Sequence, residues 1–156
     1  MNNDLMNCAR PGGKWYGAEY DGSLDVKDIA KLVRKALKVE LPGFKFSVTI
    51  DRYSGGASIR VGLVDVPAYF VMAEYSEKAA AMYGESRAIV YSKALSEVLK
   101  KAEEIADRWN YDDSNSMVDY FSVNYYAFSS VKFGSPAYEK EKADRRRVEE
   151  SMKEAA

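Results

Sequence analysis

Two alternating runs of apolar residues, one on each side of a glycine pair, constrain the fold of this chain more than any other feature. The apolar members of the two runs are Phe44, Phe46, Val48, Ile50, Ala57, Ile59, Val61 and Leu63. Alternation with a period of two is typical of strands that bury one face and leave the other in water. Gly55 and Gly56 can adopt the positive φ angles that a tight turn between twisted strands needs. The sequence therefore predicts a β-hairpin.

The chain before the hairpin divides into an arm and a helix. Residues 1–22 contain Pro11-Gly12-Gly13 and little periodicity, which predicts an irregular N-terminal arm. An amphipathic helix follows, with Ser23 or Asp25 as its cap, and Pro42-Gly43 ends it before the first strand.

Helical patterns also follow the hairpin. The segment 67–83 is apolar and begins with a proline, which favours a helix, although the run Tyr69-Phe70-Val71 could extend the sheet instead. A long helix is expected from Ser86 to Trp109, with 92–108 as its clearest part.

Aromatic and β-branched residues then predict a long strand from Tyr120 to Phe133. Tyr120, Tyr126 and Phe128 share one side of it, either packed under the C-terminal helix or exposed as a binding face. We expect a single α+β domain over 23–134, in which the hairpin and this strand form a small antiparallel sheet with helices packed on one face. The segment 135–156 is rich in charged helix formers and predicts a charged C-terminal helix.

Two blocks of sequence resemble a known family. The first contains Pro42-Gly43-Phe44-Lys45-Phe46-Ser47-Val48, Arg52-Tyr53-Ser54-Gly55-Gly56, Ser58-Ile59 and Asp65, and the second runs from Ser116 to Ala127. Both are similar to a large polyvalent protein-associated domain of phages and plasmids. The resemblance implies a context of mobile elements, where such domains accompany helicases, methylases and antirestriction functions. It also implies an accessory or anti-defence role.

Composition limits the possible settings and partners. The 156 residues are 47% hydrophobic, enough for one sizeable core. The 23 basic and 24 acidic residues nearly cancel, which argues against both a general polyanion binder and an acidic DNA mimic. Cys8 is the single cysteine, so a reducing cytoplasm of the host cell is the expected location. No apolar run is long enough for a membrane span, so we expect no membrane partner.

The residue types argue against catalysis. The chain has no histidine, which removes the Ser-His and Cys-His nucleophile schemes and the histidine metal sites. Asp112, Asp113 and Asp119 lie in or beside one polar loop, but they lack the spacing of a calcium loop. A plain solvated turn is therefore the better interpretation. We expect neither an enzyme nor a bound metal or cofactor.

Basic residues line one side of the first helix. They are Lys27, Lys31, Arg34, Lys35 and Lys38, within about 100° of arc opposite the apolar stripe. Such a stripe is the ordinary solvated face of an amphipathic helix, or it contacts phosphates, or it docks to an acidic protein surface.

The leading functional hypothesis is an anti-defence, anti-CRISPR-like inhibitor that binds a host immunity protein or complex. The residues expected to contact that partner are Arg52, Tyr53, Arg60, Tyr120 and Tyr126. The alternative is a nucleic-acid-binding accessory module that uses the basic stripe of the first helix. A third possibility is a homo-oligomer that pairs through the C-terminal helix.

Overall fold

The computed structural model describes residues 14–118 and 122–156 and confirms the α+β class, with 45% helix and 27% strand. Its elements in chain order are β1 (Trp15–Tyr16), α1 (Val26–Glu40), β2 (Lys45–Tyr53), β3 (Gly56–Asp65), β4 (Ala73–Tyr75), α2 (Glu77–Tyr83), β5 (Ile89–Tyr91), α3 (Lys93–Ala106), β6 (Tyr111–Asp112), β7 (Tyr126–Val131) and α4 (Pro136–Glu154). Short turns of 3₁₀ helix cover 85–87, 107–109 and 116–118.

The predicted hairpin is the centre of the fold. β2 and β3 pair antiparallel from Phe46 opposite Leu63 to Tyr53 opposite Gly56, and Gly55 turns the chain with a φ of 97°. β7 completes a three-stranded sheet in the order β2-β3-β7. It runs parallel to β3, so the expectation of an antiparallel sheet is wrong for this strand, and the sheet is mixed. The chain from 66 to 125 makes the long crossover that a parallel partner requires.

Helices cover one side of this sheet. Val48, Ile59 and Val61 point to that side and are only 6%, 0% and 0% exposed. They pack against buried residues of α1 and α3, which include Ile29, Val33, Leu37, Ala102 and Ile105. A fully buried side chain of this kind contributes about 1.5–3 kcal/mol through the hydrophobic effect.

Polar contacts fix the ends of α1. Asp25, rather than Ser23, is the cap, because its carboxylate accepts hydrogen bonds from the backbone N–H groups of Lys27 at 2.7 Å and Asp28 at 3.0 Å. At the other end, Glu40 accepts two hydrogen bonds from the guanidinium of Arg108, one of them 2.6 Å long. That contact joins α1 to the turn that follows α3.

The segment between β3 and α3 differs from the prediction. Residues 67–72 form a loop, and the expected helix over 67–83 is confirmed only from Glu77 onward. The residues around α2 form a small second sheet, in which β4 pairs antiparallel with β5. β5 also replaces the start of the helix expected from Ser86, because Ser92 caps α3 by accepting a hydrogen bond from Leu95 N–H at 3.0 Å.

The C-terminal helix is attached to the body through two buried carboxylates of its first half. Asp144 accepts a hydrogen bond from the backbone N–H of Met72 at 2.8 Å, and Glu141 pairs with Arg145. Arg145 also donates to the carbonyl of Ile89 at 2.8 Å. The helix therefore packs beside β4 and β5. Within the described part of the chain, no helix is both long and apolar enough to cross a bilayer.

The described end of the N-terminal arm is also attached. β1 pairs antiparallel with β6, and the rings of Tyr16, Tyr20 and Tyr111 lie 5.1–5.7 Å apart. Gly17 lies so close to the turn after α3 that an added Cβ would sit 2.2 Å from the carbonyl oxygen of Arg108. Only glycine fits at this position.

Candidate interaction surface

The side of the three-stranded sheet opposite the helices carries polar and aromatic side chains, and we call it the open face. Its residues are Thr49, Asp51, Tyr53, Ser58, Arg60, Tyr126, Phe128 and Ser130. Strand pairing places Arg60 beside both Thr49 and Phe128, and Ser58 beside both Asp51 and Tyr126. The period of two in each strand thus collects residues from distant parts of the sequence on one surface.

Two aromatic rings of β7 dominate one half of the open face. Tyr126 is 45% and Phe128 is 52% exposed, although large aromatic side chains are usually well buried. The strand is attached to α3 from its other side, where the hydroxyl of Ser129 donates to the Leu99 carbonyl at 2.6 Å. Of the two alternatives for this strand, packing under the C-terminal helix is wrong for Tyr126 and Phe128, because both rings are exposed.

A charged pair lies at the centre of the same face. Nε of Arg60 is 2.8 Å from a carboxylate oxygen of Asp51, across the β2–β3 hairpin, and both side chains are largely exposed. An exposed pair of this kind contributes little to folding stability. It does orient the guanidinium, which has further N–H donors besides the one at Asp51.

Side chains from the helices reach both outer edges of the sheet. On the β2 edge, Nη2 of Arg34 donates to the carbonyl of Val48 at 2.8 Å. On the β7 edge, the carboxylate of Glu103 accepts from the backbone N–H of Ser129 at 3.2 Å. Occupied edge groups hinder the addition of a further strand. Each outer edge of the sheet thus has one backbone group engaged by a helix side chain.

A family model for the large polyvalent protein associated domain 29 matches residues 24–147. The chain belongs to this family. The match spans α1 to the middle of α4 and so includes the whole three-stranded sheet. It confirms the resemblance that the two sequence blocks indicate, and it identifies a protein associated with phages or other mobile elements. No curated protein and no solved structure matches the chain.

Within this polyvalent-protein-associated domain, the structure brings together three of the five predicted contact residues. Tyr53, Arg60 and Tyr126 lie on the open face. Arg52 does not, because the alternation along β2 places it on the side of α1. There the pKa of Asp25 is lowered mainly by the backbone hydrogen bond from Asp28, and the charge of Arg52 lowers it further. Tyr120 lies outside the described residues. Phe128 also belongs to this surface, on the same side as Tyr126 as the period of two indicates, although it is not among the five predicted contact residues.

The basic stripe of α1 occupies a different side of the domain. Lys27, Lys31, Lys35 and Lys38 are exposed on the surface that faces away from the sheet. Arg34 shares this surface, but its guanidinium is hydrogen-bonded to the β2 edge. The five predicted residues are thus brought together along one helix, with four of them directed to solvent.

The polar loop after α3 is organised by its own contacts. Asp113 forms an ion pair with Lys14 at 2.9 Å, and Asp112 accepts from the backbone N–H of Ser114 at 2.9 Å. Asp119 lies outside the described residues. Below the loop, Tyr125 is buried and donates to the Ala106 carbonyl at 2.6 Å, and burial raises the pKa values of both Tyr125 and Asp107. These contacts explain how β7 is attached to α3.

Proposed function

We propose that this member of the family is a non-enzymatic binding protein that acts in the host cytoplasm, where its open face covers a surface of a host immunity protein or complex. The observation that supports this proposal is the exposure of Tyr126 and Phe128 next to Arg60, on the side of the sheet that the helices do not cover. The family adds the context of a mobile element, in which interference with host defence is a useful activity.

The composition of the open face suits a protein partner. Aromatic residues and arginine are the residue types most enriched among those that dominate the binding energy of protein interfaces. The rings of Tyr126 and Phe128 are rigid, so little conformational entropy is lost when a partner covers them. Arg60 adds directional hydrogen bonds, which favour a partner surface that presents a carboxylate or carbonyl oxygen.

The size of the open face defines its role within an interface. Three strands about 4.8 Å apart and about 20 Å long give a footprint of about 300 Å². A standard interface uses about 800 Å² on each partner. The open face would therefore supply the central contacts, and neighbouring residues such as those of the hairpin turn would form the rim. The absence of histidine from the sequence supports binding rather than hydrolysis as the mode of action.

The test is a pull-down of the tagged protein from a host lysate, with and without nuclease, combined with a phage-protection assay. We expect a defence protein to remain bound after nuclease treatment. The double variant Tyr126→Ser, Phe128→Ser and the single variant Arg60→Glu should each reduce recovery at least tenfold and abolish protection. The matched control is Tyr69→Ser, because Tyr69 is 85% exposed and lies in the loop 67–72, outside the three strands of the sheet. Equal recovery with all variants, or no protection across many defence systems, would contradict the proposal.

A further inference from the structure

The lysines of α1 form a second charged surface, which we call the lysine face. It consists of Lys27, Lys31, Lys35 and Lys38, all exposed. With a rise of 1.5 Å per residue, these four ammonium groups are spread over about 16 Å of helix. The apolar residues of α1 pack on the inner side of the sheet, so the lysine face and the open face lie on opposite sides of the domain.

The acidic groups of α1 and the hairpin are engaged in other contacts, beginning with Asp25, whose carboxylate caps the start of α1. Between residues 27 and 60 the carboxylates are those of Asp28, Glu40 and Asp51. They contact Lys31 at 3.4 Å, Arg108, and Arg60 at 2.8 Å, respectively. Within the described part of the chain, Lys35 and Lys38 form no ion pair. The region is therefore locally positive, although the net charge of the whole chain is -1.

We propose that the lysine face binds the phosphate backbone of duplex nucleic acid, as a site additional to the open face. Lysine ammonium groups act as point charges toward phosphate and carry no sequence information. A duplex presents one phosphate charge per about 1.7 Å of its axis, so a helix segment of about 16 Å can bring all four lysines to phosphates. Arg34, which could read a base edge, is held by the Val48 carbonyl. The binding is therefore independent of sequence and strongly dependent on salt.

The experiment measures the fluorescence anisotropy of a labelled 20-base-pair duplex as the full chain is added, at salt concentrations from about 25 to 200 mM. Four phosphate contacts predict a slope of about -3.6 in log affinity against log salt, or about a 100-fold loss of affinity between 50 and 200 mM. The quadruple variant K27Q/K31Q/K35Q/K38Q should lose at least tenfold in affinity at low salt and show a slope near zero.

A matched variant controls for total charge. K78Q/K93Q/K100Q/K153Q removes the same number of exposed lysines from α2, α3 and α4, and we expect its affinity to stay within about twofold of the unmodified chain. Thermal unfolding of both variants verifies that each is folded. No binding at 25 mM salt, or an equal loss in the two quadruple variants, would overturn the proposal. Binding of the lysine face to an acidic protein instead of the duplex would also overturn the proposal. None of these outcomes affects the open face, whose variants are tested separately.

Discussion

The two sides of the three-stranded sheet are made from alternate residues of the same strands, yet their surroundings differ. On the covered side, Val48, Ile59 and Val61 are almost completely buried under α1 and α3. On the open face, Arg60, which lies between Ile59 and Val61 in the sequence, and Phe128, which is paired with Arg60 across the sheet, remain largely accessible. Because neighbouring residues of a strand point in opposite directions, one strand carries buried and accessible side chains at successive positions. Substitutions on the covered side should affect folding, and those on the open face should affect binding.

The strongest expected effect is on the covered side. Ile59→Ala should lower the free energy of unfolding by about 3–4 kcal/mol, because it removes a fully buried side chain and leaves a cavity between the sheet and α1. The next residue provides the control, since Arg60→Ala should change stability by less than about 0.5 kcal/mol. Urea unfolding followed by circular dichroism measures both. Similar losses for the two variants would remove the distinction between the two sides.

An intermediate effect is expected where α1 and the turn after α3 are joined. The hydrogen bond from Arg108 holds the pKa of Glu40 below its ordinary value of 4.5. The lowered pKa favours the charged form in the folded state, so its contribution to stability is present above pH 4.5 and is lost as the pH falls through the folded-state value.

Glu40→Gln should therefore cost about 1–2 kcal/mol at pH 7 and progressively less below pH 4.5. The control is Glu104→Gln, whose exposed carboxylate lies 4.0 Å from Lys100 and should contribute less than about 0.5 kcal/mol. Unfolding measured at several pH values tests both variants. If Glu40→Gln lowers the free energy of unfolding by the same amount at every pH, the ion pair between Glu40 and Arg108 does not stabilise the fold.

The smallest effect on stability belongs to the open face. Phe128→Thr keeps a residue that favours strands and should change the free energy of unfolding by less than about 1 kcal/mol. On the same strand, Val131 is directed to the covered side and packs against a cluster of buried residues that includes Leu63 and Leu95. Val131→Thr should be the more damaging of the two. Thermal unfolding of both variants decides the comparison, and a larger loss for Phe128→Thr would indicate that its ring stabilises the fold.

The local parts of this fold could be predicted from the sequence. The alternation around Gly55 and Gly56 indicates the hairpin, and the periodicity of α1, α3 and α4 indicates the helices, because each pattern depends on residues close in the chain. The strands β4 and β5 were missed, since three-residue strands have too little periodicity to be separated from helix. The direction of β7 could not be predicted, because it depends on the path of the chain between 66 and 125.

The candidate surface was predictable to a similar extent. The residue types of Tyr53, Arg60 and Tyr126 indicate a contact role, and alternation alone would have placed Arg52 on the opposite side of β2 from Tyr53. Which side the helices cover is a tertiary property, so the exposure of Phe128 required the structure. The roles of Arg34 and Glu103 at the sheet edges also depend on how the helices pack, and no sequence pattern reveals them.

The parallel pairing of β7 with β3 also sets an order of events during synthesis. α1 and the β2–β3 hairpin are close in the chain and can associate early, whereas β7 is made only after residues 66–125. Until then, the edge of β3 that receives β7 presents unpaired backbone groups, so the incomplete nascent chain is the form most exposed to aggregation. Because Tyr126 and Phe128 are carried by β7, the surface proposed for the partner is also completed last. Recognition through it would begin only when the domain is almost fully synthesised.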